Sequence, residues 1–192
     1  MSTETLQQLL DRTSNPRLVA PAPTTAELEQ IIGAGMRAPD HGYLRPTRIH
    51  IVSGEGRERL GELFASAVQS EAEANGEVAA QKALDKARRN PLRAPLILVA
   101  GCRVQPDNKI PVIEQVSSTA AAVSMMQTAI DALGYASMWR TGAPAYQPLV
   151  KSAFGLTEQD HLVAFLYVGS AESDVRPKKR SLPAWETHVS TF

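Results

Sequence analysis

Cysteine is almost absent from this sequence, since Cys102 is the only one among 192 residues. An intramolecular disulfide framework is therefore excluded, and a reducing compartment is the expected setting. Long hydrophobic runs are missing too, because no stretch approaches the roughly 20 apolar residues that span a bilayer. The N-terminus lacks a basic region followed by an apolar core, so a signal peptide is not expected. We expect a soluble, cytoplasmic protein.

An excess of charge of either sign is also lacking, because 20 basic residues balance 20 acidic ones. This balance gives no reason to expect a nucleic-acid or membrane-surface partner. The four histidines have no H-x-x-x-H spacing and there is no C-x-x-C, so no metal site is predicted. The sequence contains no G-x-S-x-G motif, so the usual sequence marker of a serine hydrolase is missing. It also contains no glycine-rich phosphate loop.

The hydrophobic pattern that is present predicts one domain, residues 1–192, with interspersed helices and strands. Helices are predicted over residues 3–13, 24–37, 58–75, 77–90, 111–133 and 147–154, and strands over 48–52, 96–100, 136–138 and 163–168. The apolar run 96–100 is typical of a strand buried on both faces, and Cys102 is interpreted as a small buried hydrophobe. The run 117–129 is rich in small residues, which predicts a helix central to one subunit or to a subunit interface.

The stretch 37–47, R-A-P-D-H-G-Y-L-R-P-T, is the most polar junction between a predicted helix and a predicted strand. Pro39 excludes the helical conformation for the residue before it, so the helix is expected to end near Arg37. Arg37, His41 and Arg45 then lie close enough in sequence to converge on an anionic or hydrogen-bonding ligand. The alternative is a solvated turn without a ligand.

Two further segments carry polar groups. Arg12, Thr13 and Ser14 end the first helix, whose leucines (Leu6, Leu9 and Leu10) are expected to dock on a larger element. The sequence W-R-T-G at residues 139–142 follows a short predicted strand and suits a loop around a planar, anionic cofactor. The tail beyond residue 169 carries Trp185 and Phe192, which we expect to pack on a surface such as a partner subunit.

In this order and spacing, the R-T-S, R-A-P-D-H and W-R-T-G segments resemble the flavin-dependent nitroreductase family, and in particular its minimal bacterial branch. The resemblance covers essentially the whole chain. It implies an α+β fold, a three-layer sandwich with a mixed sheet flanked by helices. It also implies an intertwined homodimer with FMN at the subunit interface.

The resemblance assigns roles to these residues. The N-terminal triplet is expected to hold the FMN phosphate and ribityl chain, the W-R-T triplet to line the same subunit's side of the flavin, and the R-A-P-D-H segment to come from the other subunit. No catalytic acid or base and no metal ligand are assigned. The residues expected to bind FMN are Arg12, Thr13, Ser14, Arg37, His41, Trp139, Arg140 and Thr141.

The implied activity is an FMN-dependent oxidoreductase that passes hydride from NAD(P)H, through the flavin, to nitroaromatic or similar electrophilic acceptors. Two alternatives stay open: a flavin-binding sensor or carrier with little turnover, and a protein whose small-residue helix and tail serve only oligomerisation. Family members often carry an asparagine before Q-P-W where this chain has Tyr43, Arg45-Pro46 and Thr47. Lys178 and Arg180 resemble a phosphate-contacting K-x-R of larger relatives, but the resemblance does not assign them here.

Overall fold

The structure, a computed structural model, describes residues 2–172 and 181–192. Lys178 and Arg180, which resemble a phosphate-contacting pair, lie outside the described residues. The helices are α1 Ser2–Asp11, α2 Thr25–Gly35, α3 Gly56–Ala74, α4 Gln81–Arg89, α5 Val112–Ala132 and α6 Pro148–Ala153. The strands are β1 Leu18–Val19, β2 Thr47–Ser53, β3 Leu96–Cys102, β4 Ala136–Arg140 and β5 His161–Ala171.

The five strands form one sheet in which every pairing of the described residues is antiparallel. β5 pairs with β3 along one edge and with β4 along the other, and its last residues pair with β1. β2 pairs with the far edge of β3. The expectation of a mixed sheet is therefore wrong for the described part of the chain, whereas the α+β class is confirmed.

Helices cover both faces of the sheet and make the predicted three layers. Alternate residues of a strand point to opposite faces, and in β3 Ile97 and Val99 join the core beneath α3, α4 and α6, while Leu96 and Leu98 join the core beneath α2 and α5. All seven residues of β3 are buried, which confirms the strand predicted from the run 96–100. Cys102 is fully buried, as predicted.

Helix ends follow the sequence signals. Thr24 and Glu27 form the reciprocal capping box at the start of α2. The helix ends at Gly35, and a further turn continues to Ala38 through its backbone bond to Gly35, just before Pro39. At the end of α5, Gly134 has a φ of 82°, the left-handed conformation that closes helices and that glycine adopts without strain.

One local prediction differs from the structure. Trp139 and Arg140 belong to β4 rather than to a loop, because this strand extends two residues beyond the predicted one. Docking of the α1 leucines on a larger element stays a prediction, since within the described residues Leu6 is 56% exposed and Leu9 52% exposed. Packing of the tail on another surface also stays a prediction, because Trp185 is 65% exposed. None of the described helices is both long and apolar enough to cross a membrane.

The close approach of α3 to α4 depends on Gly61, and we predict that Gly61→Ala destabilises the protein. A methyl group at this position would overlap the backbone carbonyl of Arg88. Alanine normally favours a helix over glycine by about 1 kcal/mol, but overpacking against backbone costs about 1 to 3 kcal/mol. The free energy of unfolding, measured by urea denaturation, is expected to fall.

Gly33→Ala is the matched control, because Gly33 is also helical and has no atom within 4 Å of the added methyl group. This variant should keep or raise the stability by up to about 1 kcal/mol. Equal stabilisation by both substitutions would contradict the tight α3–α4 contact.

Candidate functional site

The segment after α1 runs beside β4. The backbone N–H of Asn15 donates to the carbonyl of Ser137, on β4, with an N–O distance of 3.0 Å, and Asn15 is buried. Thr13 is half-buried, whereas Arg12 and Ser14 are exposed. The structure therefore brings the R-T-S segment next to the strand that carries the W-R-T segment, as the resemblance implies.

The outer edge of β4 is open. Successive residues of a strand direct their backbone polar groups to opposite edges. Because the carbonyl of Ser137 points away from β5, toward Asn15, the N–H and C=O of Trp139 point the same way two residues later. No backbone partner meets Trp139 there within residues 2–172 and 181–192. This edge offers a donor and an acceptor to a planar heterocycle.

The side chains of Trp139 and Arg140 lie on opposite faces of the sheet. Trp139 is half-buried against the core beneath α2 and α5, and its Nε1 donates to the carbonyl of Val163 at 3.1 Å. Arg140 lies over the ring of Tyr167 on the α3 face, with its guanidinium carbon 5.6 Å from the ring centroid. The two side chains therefore leave β4 on different faces, although both residues contribute to the lining of the concavity at the end of this strand.

A concavity of about 480 Å³ opens where β4 ends. Apolar side chains such as Phe64 and Met138 line it together with Arg140, Thr141 and Asn90. Tyr167 forms part of the floor of this concavity. Burial raises the pKa of Tyr167 to about 12, against the opposing effect of Arg140, so its phenol is uncharged at neutral pH. Within the described residues Arg140 has no carboxylate partner. The concavity thus combines an apolar floor with a cation.

A second concavity, of about 290 Å³, lies between the end of α1 and the end of α5. Its lining includes Arg12, Thr13, Asp11 and Asp131. Burial raises the pKa of Asp131 to about 6, and the charge of Arg12 acts in the opposite direction. Arg12 is therefore near a carboxylate that is largely ionised at pH 7, and the two opposite charges attract each other across this concavity.

The R-A-P-D-H segment lies elsewhere, above the start of α5 and beside β2. Arg37 is exposed: its backbone N–H donates to the carbonyl of Ala34 at 3.1 Å, and its guanidinium has no hydrogen-bond partner within the described residues. His41 is bonded through Nδ1 to the carboxylate of Glu114, on α5, at 2.6 Å. Arg45 donates its backbone N–H to Asp40 at 2.7 Å. No contact within the described residues joins Arg37, His41 and Arg45 around one group.

The sheet separates the predicted site residues into two sets. β4, beside Arg12, is one edge, and β2, beside His41, is the other, with β5 and β3 between them. Three strand spacings of about 4.8 Å amount to roughly 14 Å. Within a single chain the two sets therefore lie at opposite edges of the sheet.

Three residues at these places escaped sequence analysis: Asn90, Glu114 and Asp131. Each lies in or beside a helix in which it reads as an ordinary polar surface residue. Glu114 is 73 positions from His41 in the chain, and no periodicity connects them. Tertiary packing places them, that of α5 on the sheet for Glu114 and Asp131 and that of the turn after α4 for Asn90.

Comparison with known proteins is consistent across sequence and structure. The sequence model of the nitroreductase family matches residues 3–170. A protein of Escherichia coli strain K12, YdjA, named as a candidate NAD(P)H nitroreductase, is 43% identical over 169 residues, which are 88% of this chain and 89% of that one.

Two solved structures share the fold. A nitroreductase-like family protein from Bacillus cereus superposes with a TM-score of 0.81 at 21% identity, over 98% of this chain and 95% of that one. A nitroreductase from Bacteroides fragilis with bound FMN gives a TM-score of 0.71 at 18% identity, over 94% and 95% of the two chains. Proteins of this family use FMN with NAD(P)H as the electron donor. The matched span and the identity to YdjA establish that the chain belongs to the nitroreductase family of oxidoreductases.

Proposed function

We propose that this chain is an FMN-dependent oxidoreductase that transfers hydride from NAD(P)H to nitroaromatic or similar electrophilic acceptors. One FMN-binding domain spans the chain, and it acts in the cytoplasm, where NAD(P)H is available. The observation that carries the proposal is the open edge of β4, where the backbone groups of Trp139 have no partner among the described residues and lie between the Arg12 segment and the concavity beside Arg140.

The chemistry of these groups fits FMN. A phosphate with nearly two negative charges suits charge-assisted hydrogen bonds from Arg12 and the hydroxyl groups of Thr13 and Ser14. The isoalloxazine ring is planar and hydrogen-bonds at its edge, which suits the N–H and C=O of Trp139. Arg140, cationic and without a carboxylate partner among the described residues, faces the adjacent apolar concavity.

A homodimer would complete the site. Arg37 and His41 lie at the opposite edge of the sheet, so we propose that they reach the FMN held mainly by the partner's Arg12 and Trp139 segments. Exposed apolar surface supports the dimer: Leu6, Leu9 and Leu10 on α1 are 56%, 52% and 44% exposed. After the first turn of α5, in which Ile113 is 71% exposed, the exposed positions include Ser117 and Ser124, whose small size permits close approach of a second helix.

FMN, when bound, supplies the redox chemistry by accepting hydride from NAD(P)H and passing two electrons to the acceptor. The chain's own part is to orient the bound molecules and to exclude unsuitable acceptors. Tyr43, 85% exposed with a φ of 54°, stands on the loop that the dimer would bring to the acceptor side. We propose that this loop, in which Tyr43, Arg45 and Thr47 depart from the common family pattern, sets the choice of acceptor.

The first test follows the visible absorption of the purified protein. We expect a yellow protein, or one that binds added FMN, whose flavin band is bleached anaerobically by NADH or NADPH. A nitroaromatic acceptor added next should restore the band, whereas a sample without acceptor stays bleached. Bleaching without recovery on any electrophile would favour a sensor or carrier, and a protein that ignores FMN would end the proposal.

Removing the guanidinium of Arg12 should weaken FMN binding. Arg12→Ala loses a charge-assisted bond to the phosphate, which corresponds to about 1.5 to 3 kcal/mol or roughly ten- to a hundred-fold in Kd. Fluorescence titration with FMN measures the change. Arg59→Ala, at an exposed position of α3 paired only with Glu55 within the described residues, is the control and should leave Kd unchanged. Equal affinities of both variants would remove Arg12 from the site.

Mixing two defective variants should restore sites if each site is shared between subunits. In a mixed dimer of Arg12→Ala and Arg37→Ala chains, one site has both arginines and the other has neither. Random re-association should therefore recover about a quarter of the wild-type sites. Flavin content after mixing and refolding measures the recovery, and two differently tagged Arg12→Ala chains are the control. Recovery no greater than in the parents would show that each chain owns a complete site.

A further inference from the structure

His41 and Glu114 form the shortest side-chain contact in the segment 37–47. His41 Nδ1 lies 2.6 Å from Glu114 Oε2, although 73 positions separate the two residues in sequence. Both side chains are partly exposed, at 65% and 45%. Exposed ion pairs contribute little to stability, typically about 0 to 1 kcal/mol. A purely stabilising role is therefore a weak account of this contact.

The loop that carries His41 is held in one conformation by contacts on several sides. Gly42 has a φ of 70° and its Cα faces the side chain of Ile110. The Asp40 carboxylate accepts the Arg45 N–H at 2.7 Å, and Gln105 Nε2 donates to the carbonyl of Leu44 at 3.1 Å. The backbone on both sides of His41 is thus fixed, and the Glu114 bond fixes the remaining freedom, the rotation of the imidazole ring.

The chemistry of the pair determines which ring nitrogen remains available. An ionised carboxylate only accepts hydrogen bonds, so a short bond to Glu114 requires the proton on Nδ1. In the neutral ring Nε2 is then an acceptor, and it is available to a ligand because the side chain is 65% exposed and Nε2 has no hydrogen-bond partner among the described residues. A hydroxyl or ring N–H donor is the complementary ligand group.

We propose that Glu114 is the positioning residue of His41: it holds the Nδ1–H tautomer and turns Nε2 outward as a hydrogen-bond acceptor toward the flavin site of a second copy. The inference rests on the proposed function, because that second copy is where FMN would be held. The group of FMN that His41 Nε2 contacts would then be a hydrogen-bond donor, such as a ribityl hydroxyl, rather than the phosphate.

The tautomer is measurable without flavin. Two-bond ¹H–¹⁵N correlation spectra of the protein, taken at about pH 8 where an ordinary histidine is neutral, should show one histidine protonated at Nδ1. Its absence from His41→Ala assigns the signal. In Glu114→Ala the signal should move to the Nε2–H pattern that an unconstrained imidazole prefers. Glu58→Ala, also in the first turn of a helix but without an ion pair among the described residues, should leave it unchanged.

The same variants test the link to the cofactor. Glu114→Ala should raise the Kd for FMN roughly three- to ten-fold, the range of one hydrogen bond. In the His41→Ala background, adding Glu114→Ala should change the Kd for FMN by less than about two-fold, because the two residues act through one contact. An unchanged His41 tautomer, or an unchanged affinity, in Glu114→Ala would overturn the inference. Wild-type protein that binds no FMN would instead overturn the proposed function, and the tautomer spectra separate the two failures.

Discussion

Burial of β3 and β5 on both faces is the constraint on which the rest of the structure depends. Their alternating side chains fill two separate cores, one beneath α3, α4 and α6 and the other beneath α2 and α5. A sheet covered by helices on both sides has no free face for a ligand. Its open edges and the loops beside them are the places left for chemistry.

The two edges of the sheet carry different chemical groups, so they would contribute differently to a site. β4 presents backbone groups at Trp139 that have no partner among the described residues, next to a cation-lined concavity and the Arg12 segment. β2 lies at the far edge, beside the loop of Arg37 and His41. In the proposed homodimer, association of two chains and completion of the site would be one event, because two strands lie between these edges in a single chain. Exposed leucines on α1 would then have two functions, stability of the dimer and assembly of the site.

Sequence patterns predicted most of the scaffold, because periodicity and capping are local properties. The capping box at Thr24, the closing Gly134 and the doubly buried strand 96–100 all follow from residues within one or two turns. The extent of β4 was underestimated, since a polar W-R-T-G segment has the composition of a loop although β5 pairs with its first residues. The His41–Glu114 contact could not be predicted, because only tertiary packing joins positions so far apart.

Trp139 shows why a motif can mark a site without its side chains forming that site. The indole is fixed by its bond to the carbonyl of Val163 and by packing against the α2 and α5 core, while the backbone of the same residue faces the open edge. Any residue other than proline would leave that N–H and C=O in place, but a smaller side chain would leave a cavity that destabilises the strand. Loss of activity in a Trp139 variant would therefore not by itself demonstrate a contact of the indole with a ligand, because displacement of the strand edge would have the same effect.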